Sequence, residues 1–192
     1  MVKLIIEPVP PVYLCCDALI TASDVASASR FQNDSRRREH LAWRRIVRHE
    51  LGRKVMIDYN EVGAPVVDVP NTYISVAHGG EMVAVAIANE RVGVDIESLD
   101  RNFDRIQSRY MTAAEIALTA SEDYWAARVW AAKEAIYKLY GRREVDLTED
   151  IRITGLDTQS MTLMAEVRDT KGIAVETKIV ENSVVVAIAT YK

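Results

Sequence analysis

No stretch of this chain is apolar for the roughly 20 residues that a membrane-spanning helix needs, so no such helix is expected. Cysteine is scarce. Only Cys15 and Cys16 occur, and they are adjacent in an apolar, strand-like run. Adjacent cysteines rarely bridge, because a disulfide needs a particular Cα separation. They are expected as buried free thiols in a reducing compartment. A signal-peptide cleavage pattern is also missing from the proline-broken opening MVKLIIEPVPPVYL, and the expected location is the cytoplasm. Positive charge is not in excess. The formal net charge is −4, whereas a general nucleic-acid binder is usually basic overall.

What remains is an ordinary globular balance, 49% hydrophobic and 27% charged. The 192 residues suffice for one compact unit or two small ones packed together. Strands are predicted at residues 2–6 and 12–16, separated by the prolines at 8–11. A helix is predicted at 22–29, with Thr21 or Ser23 as cap. A long one follows at 33–51, with Asp34 or Ser35 as cap candidates and Gly52 at its end. Further strands are expected at 53–59, 73–77, 82–89 and 91–97, with a turn at 60–65. Helices are expected at 104–110, 112–119 and 124–140, and four strands after residue 150.

A weak repeat runs through this pattern. VAVAIA at 83–88 is echoed by VVVAIA at 184–189, and each follows a helix end marked by glycine and a basic pair, Gly52-Arg53-Lys54 and Gly141-Arg142-Arg143. The period is about half the chain, too long for a solenoid. The pattern suggests an α+β fold of two related halves, 1–90 and 91–192, each a small, mainly antiparallel sheet packed with helices.

Three constellations carry chemistry. In Gly93-Val94-Asp95-Ile96-Glu97, strand periodicity turns Asp95 and Glu97 to one face and Val94 and Ile96 to the core. Two adjacent carboxylates repel unless a cation neutralises them, and hard oxygen ligands suit Mg²⁺. By itself, a D-x-E pair on a strand is more often solvated surface. In Trp130-Ala-Ala-Lys133-Glu134-Ala135-Ile136-Tyr137-Lys138, helical spacing places Glu134 and Lys138 one turn apart on one face. Taken alone, that is an ordinary surface ion pair. In His78-Gly79-Gly80, glycines let backbone amides approach a phosphate, although in isolation a plain turn with a partly buried histidine is the better reading.

Taken together and in this order, GVDIE at 93–97 and WAAKEAIYK at 130–138 resemble the paired motifs of the 4′-phosphopantetheinyl transferases. The resemblance extends to the basic helix at 36–52, the YNEVGAP turn at 59–65, ISVAHG at 74–79 and the segment at 150–153. Length and layout are similar to the monomeric, pseudodimeric type of that family, which implies a pseudodimer of the two similar α+β halves with the active site between them. The resemblance implies that Asp95, Glu97 and Glu134 bind Mg²⁺, which bridges to the pyrophosphate of coenzyme A. Lys138 and Lys133 would stabilise phosphate charge, and Glu134 would help deprotonate a serine of an acyl or peptidyl carrier protein. His78 and Gly79 would meet a coenzyme A phosphate. Arg36, Arg37 and Arg38, a basic run at a helix start, are candidates for the 3′-phosphate of coenzyme A; a solvated face or docking to an acidic carrier surface is the other reading of such a run. A monomer is expected, with no nucleic-acid or membrane partner.

The chain departs from the family pattern at three places. Ala64 stands where the family's turn has lysine, and Ala77 and Gly79 stand where serines flank the histidine. These changes leave open a reading from another class, a non-catalytic carrier-protein-binding module descended from the family. A metal-dependent pyrophosphate hydrolase is a third reading.

Overall fold

Strands rich in Val, Ile and Ala build three antiparallel sheets in the computed structural model, which describes residues 1–119 and 123–192. The first has the order β1-β5-β4, with β1 at Val2–Pro8, β4 at Tyr73–Gly79 and β5 at Met82–Ala88. A short hairpin pairs β2 (Ile57–Tyr59) with β3 (Pro65–Val67). The largest sheet has the order β6-β10-β9-β8-β7. In it β6 is Gly93–Ser98, β7 Ile151–Asp157, β8 Thr162–Val167, β9 Thr170–Val180 and β10 Val184–Tyr191. Helices α1 (Ala22–Ala28) and α2 (Asp34–Leu51) precede the hairpin. A 3-10 helix (Asp104–Arg109), α3 (Ala113–Thr119) and α4 (Trp125–Tyr140) follow β6. The fold is α+β. No helix among the described residues is long and apolar enough to cross a membrane.

The VAVAIA and VVVAIA segments are the inner strands β5 and β10. An inner strand packs on both faces, so its sequence reads as a continuous apolar run rather than an alternation. Each of the two larger sheets takes a long helix: α2 packs on β5, and α4 packs on β6 and β10. A shared apolar cluster joins the two sheets. It contains Ala77, Ala84 and Ala86 from one side and Val94, Ile96 and Val186 from the other.

Two expectations fail near the N-terminus. Residues 12–16 form bends and turns rather than a strand, and Cys15 and Cys16 are exposed free thiols, not buried ones. Pro8, Pro10 and Pro11 remove ladder donors just before this segment, and the backbone N–H of Asp17 closes a turn onto the Leu14 carbonyl. The cap of α2 is Asn33, one residue earlier than expected, with its side chain accepting from the Ser35 N–H.

Helix α1 begins with a capping box in which Thr21 and Asp24 exchange hydrogen bonds. The buried Asp24 also pairs with Arg48 and, at 3.1 Å, with Arg44, tying α1 to α2. Burial works to raise the Asp24 carboxyl, but Arg48 and Thr21 hold it below its ordinary value.

Candidate active site

The site is set by how closely α4 approaches β6. A Cβ built on Gly93 would lie 1.9 Å from the carbonyl oxygen of Ala135 and 2.8 Å from the amide nitrogen of Leu139. Only glycine fits there. Ala131 and Ala135, both fully buried, complete the close contact from the helix side. Val94 and Ile96 sink into the cluster between the sheets, so strand alternation turns Gly93, Asp95 and Glu97 towards α4. The helix in turn brings Glu134 and Lys138 to that face.

Lys138 anchors the arrangement. Its Nζ donates to Asp95 Oδ1 at 2.8 Å, to the Val94 carbonyl at 2.9 Å and to the Val76 carbonyl at 3.4 Å. The second Asp95 oxygen, Oδ2, is buried and has no hydrogen-bond partner among the described residues. Glu97 Oε1 accepts from the indole Nε1 of Trp130 at 2.7 Å, and Oε2 lies 3.6 Å from Arg101. The half-buried Glu134 makes no hydrogen bond or ion pair among the described residues.

All three carboxyls are raised above their ordinary values. For Asp95 the cause is burial, opposed by Lys138. For Glu97 and Glu134 it is burial first and then the charge of Asp95. A bound cation would relieve this burial and mutual repulsion. Among the described residues, no three His, Cys, Asp or Glu side chains form a ready-made metal cage. Mg²⁺ does not require one, since it is commonly held by one or two carboxylates with water and substrate phosphates. The orphaned oxygen of buried Asp95 and the all-oxygen donor set fit that ion.

His78 and Arg36 come together at one edge of this region. Arg36 Nη1 lies 2.9 Å from His78 Nδ1, and Glu39 is 3.3 Å from the same nitrogen. These three side chains line a cavity of about 220 Å³ with His40, Trp43 and Tyr59. Burial lowers the His78 pKa; Glu39 opposes this, and Arg36 and Lys138 add to it. Arg37 and Arg38 turn elsewhere, as the 100° step of a helix demands. They line a separate cleft of about 800 Å³ with Pro11 and Tyr13. There Arg37 donates to the Phe31 carbonyl and Arg38 to the Pro10 carbonyl. The basic run is thus split, and only Arg36 meets His78.

Lys133 requires a correction. Its ammonium is fully buried and donates to Glu115 and to the carbonyls of Leu147 and Ile151 at 2.8–3.0 Å. All three of its protons are used inside the fold, so the ion pair ties α4 to α3 and β7 instead of facing a ligand. One helical step from Glu134 rotates this side chain from the site into the core.

Two of the sequence departures have packing reasons. A Cβ on Gly79 would lie 2.5 Å from the Ile96 carbonyl oxygen, so glycine is what allows β4 to cross β6 there. Ala77 is buried in the cluster between the sheets. Ala64 borders a cavity of about 260 Å³ that Lys138 and Tyr137 also line. Sequence reasoning missed Trp130 as a partner of Glu97, and missed Arg101 altogether. The 33-residue separation of Trp130 and Glu97 hid the first. Nothing local marks Arg101.

The large sheet, the helix across it and the carboxylate–lysine cluster all fall within the second half of the chain. The family model of the 4′-phosphopantetheinyl transferase superfamily matches residues 91–189, and the chain belongs to that superfamily. It is also similar to 4′-phosphopantetheinyl transferase psf-1 of Bacillus pumilus, at 26% identity over 130 residues, 61% of this chain and 56% of that protein. The chain thus spans a little over half the length of that curated relative.

Proposed function

We propose that this protein transfers the 4′-phosphopantetheine group of coenzyme A to a serine hydroxyl of an acyl or peptidyl carrier protein and releases adenosine 3′,5′-bisphosphate. The observation that carries this reading is the cluster of Asp95, Glu97 and Glu134 around Lys138, within the segment that matches the superfamily.

Asp95, Glu97 and Glu134 would hold Mg²⁺, whose chemistry is to neutralise the pyrophosphate and stabilise its leaving oxygen. The chain's own residues do the rest. Glu134 takes the serine proton. In the metal-free protein its carboxyl is held above the ordinary value, first by burial and then by the charge of Asp95. The freed serine oxygen bonds to the pantetheine-bearing phosphorus as the bond from that phosphorus to the bridging oxygen breaks. Lys138, fixed by two backbone carbonyls and Asp95, presents its charge where negative charge grows. His78 and Arg36 offer donors to a coenzyme A phosphate. The close backbone approach at Gly79 and the burial of Ala77 account for two changes that would otherwise favour a non-catalytic carrier-binding module.

The test is to incubate the protein with Mg²⁺, coenzyme A and a panel of acyl and peptidyl carriers, then weigh the carriers intact. A carrier heavier by one phosphopantetheine, with equimolar adenosine 3′,5′-bisphosphate, is the expected result. Cleavage of coenzyme A with no modified carrier would point to a hydrolase. Carrier binding without either product would leave only the binding module.

A further inference from the structure

Glu97 differs from its two carboxylate neighbours in having both oxygens engaged. Oε1 accepts the Trp130 indole proton at 2.7 Å, and Oε2 faces the Arg101 guanidinium at 3.6 Å. Glu97 is next to the last residue of β6, where the ladder ends and a long side chain is free to sample several rotamers. The indole removes that freedom, because it is itself wedged. The fully buried Tyr110 meets it edge-on at 4.9 Å, and Phe103 packs at 6.2 Å. Tyr110 is locked in turn by donating its hydroxyl proton to the Ala126 carbonyl at 2.8 Å.

Arg101 completes the box from outside. Its guanidinium carbon sits 4.9 Å from the Trp130 ring centre and 5.0 Å from that of Phe103. The side chain is about half exposed. Its ion pair with Glu97 is long and reaches water, so it is readily exchanged. The indole bond is short and aimed by packing, and an indole N–H has no acceptor role that would let it compete for a cation.

We propose that Trp130 is the positioning residue of Glu97. Its N–H holds one carboxylate oxygen so that the other faces a divalent cation, and Arg101 neutralises that second oxygen until the cation displaces it. The inference rests on the reading of the carboxylates as a cation site. It assigns the motif tryptophan a task besides filling space, and it makes Arg101 a competitor of the ion.

Mn²⁺ binding to the full-length protein, followed by electron paramagnetic resonance with and without coenzyme A, tests this. Trp130→Phe keeps an aromatic ring against Tyr110 and deletes the donor. It is expected to weaken Mn²⁺ binding about tenfold or more, the usual effect of removing an outer partner of a metal ligand. Turnover of that variant should recover as Mg²⁺ is raised, a rescue that a purely structural defect would not show. Arg101→Ala, an exposed change, should tighten Mn²⁺ severalfold. It decides the matter if Trp130→Phe fails to fold. Unchanged Mn²⁺ affinity in a folded Trp130→Phe protein, or unchanged or weaker affinity in Arg101→Ala, overturns the proposal. A wild-type protein that binds no Mn²⁺ in either condition overturns the cation site itself, and the proposal with it. Those outcomes are separable because the last is read on the wild type alone, and the others require a wild type that binds Mn²⁺.

Discussion

Gly93 and Ala135 touch backbone to backbone: a Cβ on Gly93 would stand 1.9 Å from the Ala135 carbonyl oxygen. This contact sets the height of α4 above β6, and so the distance between two carboxylates on a strand and the carboxylate and ammonium on a helix. Gly93→Ala is therefore expected to cost about 3 kcal/mol, at the upper end of overpacking effects, because backbone cannot yield as a side-chain tip can. Thermal unfolding measures the loss. The sharper check is that Mn²⁺ binding should suffer as well. A variant with wild-type melting and wild-type metal affinity would show that the helix is positioned by something else.

Glu134→Gln should separate stability from activity. Burial and the charge of Asp95 both act against a carboxylate at 134, so removing the charge should raise the melting temperature of the metal-free protein. The same change deletes the proposed base, and transfer should fall by roughly 10²–10⁴-fold. Calorimetry and a carrier-loading assay read the two effects side by side. Near-normal turnover in the folded variant would remove Glu134 from the chemistry.

Lys138→Met tests where the lysine charge acts. If it serves charge that grows during the reaction, kcat and kcat/KM should fall by the same factor. A rise in KM at unchanged kcat would instead assign it to uniform binding of coenzyme A. Some loss of stability is also expected, since Asp95 would keep a buried charge without its partner.

Lys133→Ala should behave differently from its neighbour. Breaking the buried pair with Glu115 is expected to cost about 3–5 kcal/mol, because an uncompensated charge stays in the core. Whatever protein remains folded at low temperature should retain its coenzyme A affinity. A specific loss of that affinity with unchanged stability would return Lys133 to the binding site.

His40 predicts an acid limb in stability. Its pKa is lowered to about 4 from 6.5, first by burial and then by Arg44, while Asp24 opposes. Its partners suit a neutral ring: Arg44 donates to Nδ1, and Nε2 is 2.6 Å from Ser27 Oγ, whose own proton goes to the Asp24 carbonyl. Between pH 6.5 and 4 the unfolded chain binds the extra proton. Stability should therefore be full above about 6.5 and decline as pH falls to about 4, by about 3 kcal/mol at most. Urea midpoints across this range check it, and His40→Gln should flatten the slope.

Much of this protein was determined locally. The alternation of GVDIE put Asp95 and Glu97 on one strand face, and helical spacing put Glu134 and Lys138 on one helix face. These relations depend only on chain periods of two and 3.6, which any reader of the sequence can count. The helix ends at Thr21, Gly52 and Gly141 are local for the same reason: they answer to the backbone's own unpaired groups. Relations across long separations were decided only by tertiary structure. Packing decided that the Lys133 face of α4 is the buried one, and it brought Arg36, alone of the three arginines, to His78. It brought Trp130 to Glu97 and explained Gly79 through a strand 17 residues away. The exposed turn at Cys15 and Cys16 belongs with them, since an apolar run becomes a strand only where a neighbour offers a ladder to pair with. Sequence spacing specifies which side chains share a face, but the direction in which that face looks depends on what the rest of the chain packs against it.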